Sequence, residues 1–328
     1  MEYEGQICRS PFEKSSFMLP VMVGCTYNAC KFCTLFRHLD FRVLPLEQVE
    51  AELKRVHEAG GVPRKIFLGD GNAFDLPTDY LLQIIELIHR YFPECYTINM
   101  DATVSAILAK SDDELERLSQ AGVRYLYLGI EAGLPDVLEF MNKEHTQDEA
   151  REAIRRIQDH GMLFAAHVMT GISGRGRGKE NALALAEFFN ETKPAYTVNF
   201  SLFLHGEAPL YREIQKGTWD PAPELENLEE DRAFLQALQF PEDGSWTMGY
   251  DGFHDFVRLR VHGELPRDRE RMIAQLDKAI AQESKGDEHF SFVCFGCGEY
   301  STLEDVHVNV DLDTLQHERS GECQGDRQ

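Results

Sequence analysis

The chain is short of positive charge: 33 Lys and Arg stand against 56 Asp and Glu among 328 residues, a formal net charge of −23. A field of that sign repels nucleic acid and anionic lipid unless the few cations share one patch, so a small-molecule substrate is expected and a nucleic-acid partner is not. Long hydrophobic runs are missing too. No window approaches the ~18–20 apolar residues of a membrane-crossing helix, and the opening MEYEGQICRS carries neither a basic n-region nor an apolar stretch. Neither secretion nor membrane spanning is expected, and the chain reads as cytoplasmic. There are no internal repeats or long low-complexity runs. What remains is length for one large domain with an appendage, and eight cysteines, at 8, 25, 30, 33, 95, 294, 297 and 323. In a reducing compartment such clustered thiols point to metal rather than to disulfides.

From 17 to 203 short β-like runs alternate with amphipathic segments, the mark of parallel strands joined by helical crossovers. Strands are expected at 17–23, 65–69, 96–100, 125–130, 162–171 and 196–203, and helices at 46–59, 78–92, 111–121, 146–161 and 178–192. Ser111-x-x-Glu114 is a helix-start signal, and Gly60, Gly122 and Gly161 are stop signals. The apolar residues Leu81, Ile84, Ile85 and Ile88 recur at helical spacing, giving one core face. The expected fold is α/β, a partial (β/α)6 TIM-like barrel, with a flat doubly wound sheet as the alternative that periodicity does not separate. The expected layout is an N-terminal extension (1–16), the barrel (17–205), a C-terminal helical extension packed on it (206–283) and a cysteine-bearing tail (284–328). A second helix of the extension is expected behind Pro266, and the aromatic-rich stretch 249–256 is read as packing or as a cover over the barrel mouth.

The stretch VGCTYNACKFCTLF places Cys25, Cys30 and Cys33 in the loop after the first strand. In parallel α/β folds, loops beyond the strands' C-terminal ends are where ligands bind. Three thiolates are one too few for a closed tetrahedral site, but they suit a 4Fe-4S cluster with one iron open to an exogenous ligand; a zinc loop or simply buried thiols is the plainer alternative.

This loop, the turn LGDGN after strand two, YLYLGIEAGLPDVLEFMNKEHT from strand four and VMTGISG on strand five together resemble the radical S-adenosylmethionine (SAM) enzymes. The similarity, strongest to the branch of oxygen-independent coproporphyrinogen oxidase and the methylthiotransferases and to a bacterial subgroup of it, runs from about 17 to 283 and includes GEAPLY and LPRDRERMIAQLDKAI. One departure stands out: four residues, Thr26, Tyr27, Asn28 and Ala29, separate the first two cysteines, where the family usually has three. The resemblance implies an oxygen-sensitive enzyme. Its 4Fe-4S cluster chelates SAM at the open iron and, once reduced by a donor such as flavodoxin or ferredoxin, splits SAM to methionine and a 5′-deoxyadenosyl radical that abstracts hydrogen from substrate. It also implies cofactor contacts. Gly69, Asp70 and Gly71 match the turn at the SAM amino group, with Asp70 and Asn72 as added side-chain acceptors. Glu131 matches a polar position facing SAM, and Gly171, Ile172 and Gly174 match the segment along adenine.

Asn99, Asp101, His167, Asn199 and Ser201 sit on or at the ends of strands, where inward-pointing members would line a substrate pocket. Arg175 and Arg177 in GRGRGKE offer charge to an anionic substrate, although the stretch lacks P-loop spacing. In the tail, Cys294-Phe-Gly-Cys297-Gly has the form of a metal knuckle. With Cys323, and with His307, His317 or Cys8 as fourth ligand, it would hold zinc or an auxiliary iron-sulfur cluster. A competing reading of the whole chain is an iron-sulfur or zinc protein for redox sensing or interaction that leaves SAM intact.

Overall fold

A computed structural model describes residue 4 and residues 8–293. Its backbone is an eight-stranded sheet whose strands lie side by side in chain order: β1 Phe17–Pro20, β2 Lys65–Gly69, β3 Thr97–Ala102, β4 Val123–Glu131, β5 Leu163–Thr170, β6 Tyr196–Ser201, β7 Met248–His254 and β8 Leu259–Leu265. The first seven run parallel and β8 returns antiparallel to β7. Among the described residues β1 and β8 end the order without pairing, so the wall is that of an open, partial barrel. The six expected strands are present, but the sheet continues past them. The span 206–283, expected to add only helices, also supplies β7 and β8, and the stretch 249–256 is strand β7 and its turn rather than a cover.

The helices are α1 Leu46–Glu58, α2 Thr78–Tyr91, α3 Val104–Ala109, α4 Asp112–Gln120, α5 Pro135–Phe140, α6 Gln147–Asp159, α7 Gly178–Thr192, α8 Pro209–Gln215, α9 Glu224–Ala237 and α10 Arg269–Glu283. Ser111 and Thr146 open α4 and α6 with reciprocal capping boxes. The predicted stripe of α2 is fully buried against the sheet, as are Leu126, Leu128 and Ile130, the outward residues of β4. Burial of such residues, at about 25 cal/mol per Å² of apolar area, is the main force holding the crossovers on the wall. None of the helices among the described residues is long and apolar enough to cross a membrane.

The segment before β1 does not hang free. A 3-10 turn, Pro11–Glu13, puts the Phe12 ring 4.4 Å from that of Tyr196 and sends Glu13, 3% exposed, under the strands. Glu13 Oε1 accepts from the Tyr127 hydroxyl at 2.6 Å and from Asn99 Nδ2 at 2.8 Å, while Ser16 donates to Oε2. Beside this plug lies a cavity of about 230 Å³ lined by Phe12, Tyr96, Tyr125, Tyr196, Lys65 and Arg124. It opens at the strands' N-terminal ends, away from the cysteine loop, on the face where parallel barrels build stability rather than chemistry. Replacing Glu13 by Ala strands three buried donors, on Tyr127, Asn99 and Ser16, at about 1–3 kcal/mol each. Glu13→Ala is therefore expected to lower unfolding free energy by at least about 3 kcal/mol in urea titrations, and Glu13→Gln, which keeps one acceptor oxygen, by less. Equal stability of Glu13→Ala and wild type would refute the plug.

Candidate metal and cofactor site

The cysteine loop leaves β1 through Gly24, at φ 86°, and turns within its four-residue gap at Asn28, at φ 45°. Asn tolerates this left-handed region better than most residues, and Asn28 Nδ2 ties the turn to the Phe36 carbonyl at 3.1 Å. The longer gap thus has a local conformational solution. Arg37 braces the other side, donating from Nε to the Cys33 carbonyl at 2.8 Å and from Nη2 to that of Cys30 at 2.6 Å. The loop is also sewn to the segment after α5: Lys31 N–H donates to the Met141 carbonyl at 2.9 Å and Asn142 Nδ2 to that of Ala29 at 3.0 Å.

Cys25, Cys30 and Cys33 are free, half-buried thiols. Burial raises all three, Cys30 to about 12, against the opposing charge of Lys143, so metal loading here releases protons. Among the described residues no three His, Cys, Asp or Glu side chains stand close enough to share one ion. A cubane makes no such demand, because each thiolate holds its own iron. Cys8, offered above as a ligand for the tail, lies in the barrel interior. Burial first, then Asp101, Cys33 and Asp70, push its thiol up to about 12.

The turn after β2 lies directly under this loop. A side chain at Gly71 would put its Cβ 2.6 Å from the Gly24 carbonyl oxygen and 2.8 Å from Cys25 Cα, so only glycine lets the two loops close. Asp70 is 4% exposed; its Oδ1 has no partner, and burial raises it to about 6. Asn72 braces the loop: Nδ2 donates to Thr26 Oγ1 at 2.7 Å and Thr103 Oγ1 at 3.0 Å, and Oδ1 accepts Thr103 N–H at 2.8 Å. The acceptor expected to meet the cofactor is thus already engaged.

At the end of β4 the register shifts between Gly129 and Glu131, and Glu131 takes φ 61°, the kind of bulge that re-aims a side chain. Its Oε1 meets Lys143 Nζ at 3.4 Å and its Oε2 is buried without a partner. Lys143 in turn lies 3.6 Å from Glu144 Oε2, and Glu144 Oε1 meets His145 Nδ1 at 3.1 Å. In the sequence this stretch carries part of the resemblance, but Lys143, Glu144 and His145 were given no role there; the apolar Leu138 and Met141 just before them were the available signal. On β5 and its turn, Gly171 has φ 82° and Gly174 φ 80°, while Ile172 is fully buried in an apolar cluster with Phe32, Ala132 and Leu138.

Of the other polar candidates, Asp101 and His167 face the barrel interior. Burial, then Glu13 and Asp70, raise Asp101 to about 8, and burial, then Lys143, lower His167 to about 4. Asp101 Oδ1 and His167 Nε2 lack partners. Asn99 bonds Glu13 at the plug. Asn199 and Ser201 point the other way, toward α9: Asn199 Nδ2 donates to Tyr250 at 2.9 Å and Ser201 to Glu224 Oε1 at 2.9 Å. Arg175 is paired with Glu288 at 2.9 Å and Arg177 with Asp136 at 2.6 Å, so neither is a spare cation. Cys294, Cys297, Cys323, His307 and His317 lie outside the described residues.

The sequence profile of the Radical SAM superfamily matches residues 19–188. Among curated proteins, the heme chaperone HemW of Bacillus subtilis is 24% identical over 214 residues, 62% of this chain and 54% of that protein. The anaerobic magnesium-protoporphyrin IX monomethyl ester cyclase of Cereibacter sphaeroides is 28% identical over 151 residues, 45% of this chain and 24% of that one. The chain thus spans about half or less of the length of these relatives. Among solved structures, coproporphyrinogen III oxidase (HemN) from Escherichia coli superposes with a TM-score of 0.51 at 16% identity, over 67% of this chain and 52% of that one, a likeness of fold.

Proposed function

The chain belongs to the radical SAM superfamily, and from that premise we propose that it is an enzyme that cleaves S-adenosylmethionine and takes hydrogen from a small substrate within the barrel. The observation that carries this reading is the convergence, at one end of the sheet, of three free thiols with buried, partnerless oxygens on Asp70 and Glu131. That donor set fits a cubane with an amino-acid ligand beside it. When bound, the reduced cluster supplies the electron that splits the sulfonium to methionine and a 5′-deoxyadenosyl radical.

The chain's own residues do the rest. Cys25, Cys30 and Cys33 hold the cluster, and Lys143, whose charge lowers the Cys30 thiol, offsets the negative charge gathered there. Asp70 Oδ1 and the backbone at Gly69 and Gly71 accept the ammonium of SAM. Glu131 holds a further polar group, and Gly171, Ile172 and Gly174 flank adenine, with Ile172 and Phe32 keeping water out. Asp101, His167 and Cys8 face the substrate. A flavodoxin- or ferredoxin-like protein supplies the electron in a cytoplasmic setting, and Cys294, Cys297 and Cys323 bind zinc or a second cluster.

The test is anaerobic reconstitution followed by dithionite and SAM. Methionine and 5′-deoxyadenosine should appear in equal amounts. Iron bound with SAM left intact would refute the reading and favour a sensor.

A further inference from the structure

We infer that Glu230 and Asn181 are a positioning pair that locks together the two turns, Glu131–Gly133 and Gly171–Gly174, by which the chain holds SAM. The inference rests on the cofactor contacts proposed above and adds to them a helix, α9, that lies beyond residue 188, where the family match ends.

Glu230 is 3% exposed and Asn181 fully buried. Glu230 Oε2 accepts the Gly171 N–H at 2.8 Å and Oε1 accepts Asn181 Nδ2 at 2.7 Å. Asn181 Oδ1 then accepts the Gly133 N–H at 2.8 Å. Three hydrogen bonds thus run from the β5 turn, through α9 and α7, to the β4 turn. Both glycines are pressed against the helices that carry the pair. A Cβ at Gly171 would lie 2.5 Å from Asn227 Oδ1, and one at Gly133 would lie 2.2 Å from the Leu185 backbone nitrogen. Neither turn can shift without breaking a bond or opening a gap.

The chemistry demands a carboxylate at 230. Two N–H donors converge on it, and only an ionised acid offers two full acceptor oxygens, whereas a glutamine offers one oxygen and sets an NH₂ against the other donor. Burial, opposed by Asn181 and the Gly171 N–H, raises this carboxyl to about 8, so the assays below are run above that value. The helix itself is fixed on the wall by a buried imidazole: His254 on β7 meets Glu224 Oε1 at 3.1 Å and Asp231 Oδ2 at 3.0 Å, both on α9. The pair therefore stands on a rigid support and acts on the proposed site through the Gly171 and Gly133 N–H groups it holds.

The polarity of the chain of bonds can be reversed. In the double variant Glu230→Gln/Asn181→Asp, the amide oxygen introduced on α9 accepts the Gly171 N–H and the amide NH₂ donates to one oxygen of the carboxylate introduced on α7. The other oxygen of that carboxylate accepts the Gly133 N–H. The test uses reconstituted full-length protein, with SAM affinity from equilibrium dialysis, iron and sulfide content, and hydrogen exchange of peptides spanning 129–135 and 168–176. Glu230→Gln is expected to bind SAM at least about tenfold more weakly with unchanged cluster content and faster exchange in both peptides. The double variant is expected to return to within about threefold of wild type. Asn181→Ala, which leaves the charge in place, should loosen the 129–135 peptide first and serves if Glu230→Gln does not fold. Wild-type affinity in Glu230→Gln or, failing that, in Asn181→Ala, or a folded double variant as weak as the single, would overturn the pair. Wild type that binds no SAM would overturn the cofactor reading beneath it, a distinguishable result.

Discussion

Cys30→Ala, reconstituted with iron and sulfide in the absence of oxygen, is expected to release 5′-deoxyadenosine at no more than about a thousandth of the wild-type rate, with Cys25→Ala and Cys33→Ala equally inactive. Each thiolate of a three-cysteine cubane holds a separate iron, so losing one leaves two corners open instead of one and the cluster dissociates. The fold should survive. The loop is held by Arg37 on two backbone carbonyls, by Lys31 to Met141 and by Asn142 to Ala29, none of which uses a thiol. Truncating a half-buried Cys to Ala removes little apolar area, at most about 1 kcal/mol. The outcome is therefore lost iron, lost sulfide and lost visible charge-transfer absorbance with nearly unchanged urea midpoints. Cys95→Ala is the control: Cys95 is 5% exposed in the outer core, 3.6 Å from the Thr97 carbonyl, and its loss should leave the cluster intact. Full cluster content in the triple Cys25/Cys30/Cys33→Ala variant would remove the site from this loop.

The same loop shows why so much was legible before the backbone was seen. Cysteine spacing, glycines at required turns and capping boxes at Ser111 and Thr146 are local signals, and local signals survive in one dimension. The helical stripe of α2 and the six strands between 17 and 203 were readable for the same reason. What failed needed partners distant in sequence. β7 reads Met-Gly-Tyr-Asp-Gly-Phe-His, and its two glycines argue against a strand. They are there because a Cβ at Gly249 would meet the Tyr196 ring at 2.5 Å and one at Gly252 would meet Asp231 at 3.0 Å. α3 and α5 have six residues each, too few for a period to show. Asn199 and Ser201 were placed by type rather than by face, and only the buried Glu224, Tyr250 and His254 explain why they turn outward. Lys143 is the most instructive case: the apolar Leu138 and Met141 before it hint at a buried segment, but the partner that makes its ammonium buriable, Glu131, lies twelve residues away.

Lys143→Met is expected to cost about 3–5 kcal/mol of stability near pH 8, the penalty for removing one partner of a buried ionic group while leaving the others. Lys143 is 6% exposed at the side chain, Glu131 9% and Glu144 5%, so water cannot replace the lost cation. The pH dependence identifies the cause. In the wild type, burial pushes Glu144 up but Lys143 and His145 outweigh it and hold the carboxyl at about 2, below the ~4.3 of an unfolded glutamate. A group lowered in this way contributes stability that is present above the unfolded value and lost as pH falls toward the folded one. In Lys143→Met the burial of both carboxyls is no longer opposed by the ammonium: Glu131, which burial raises even in the wild type, rises further, and Glu144 rises from its lowered value. Groups raised in this way contribute favourably only while protonated, so the variant weakens as pH climbs. The gap between the two proteins should therefore be widest near pH 8 and narrow steadily toward pH 5, and Lys143→Arg, which keeps the charge, should lie between them. Urea midpoints on the oxygen-free holoenzyme across that range measure it. A gap that does not change with pH would mean that Lys143 acts by filling space, and that the buried charge row beside Cys30 is not what holds this corner of the site.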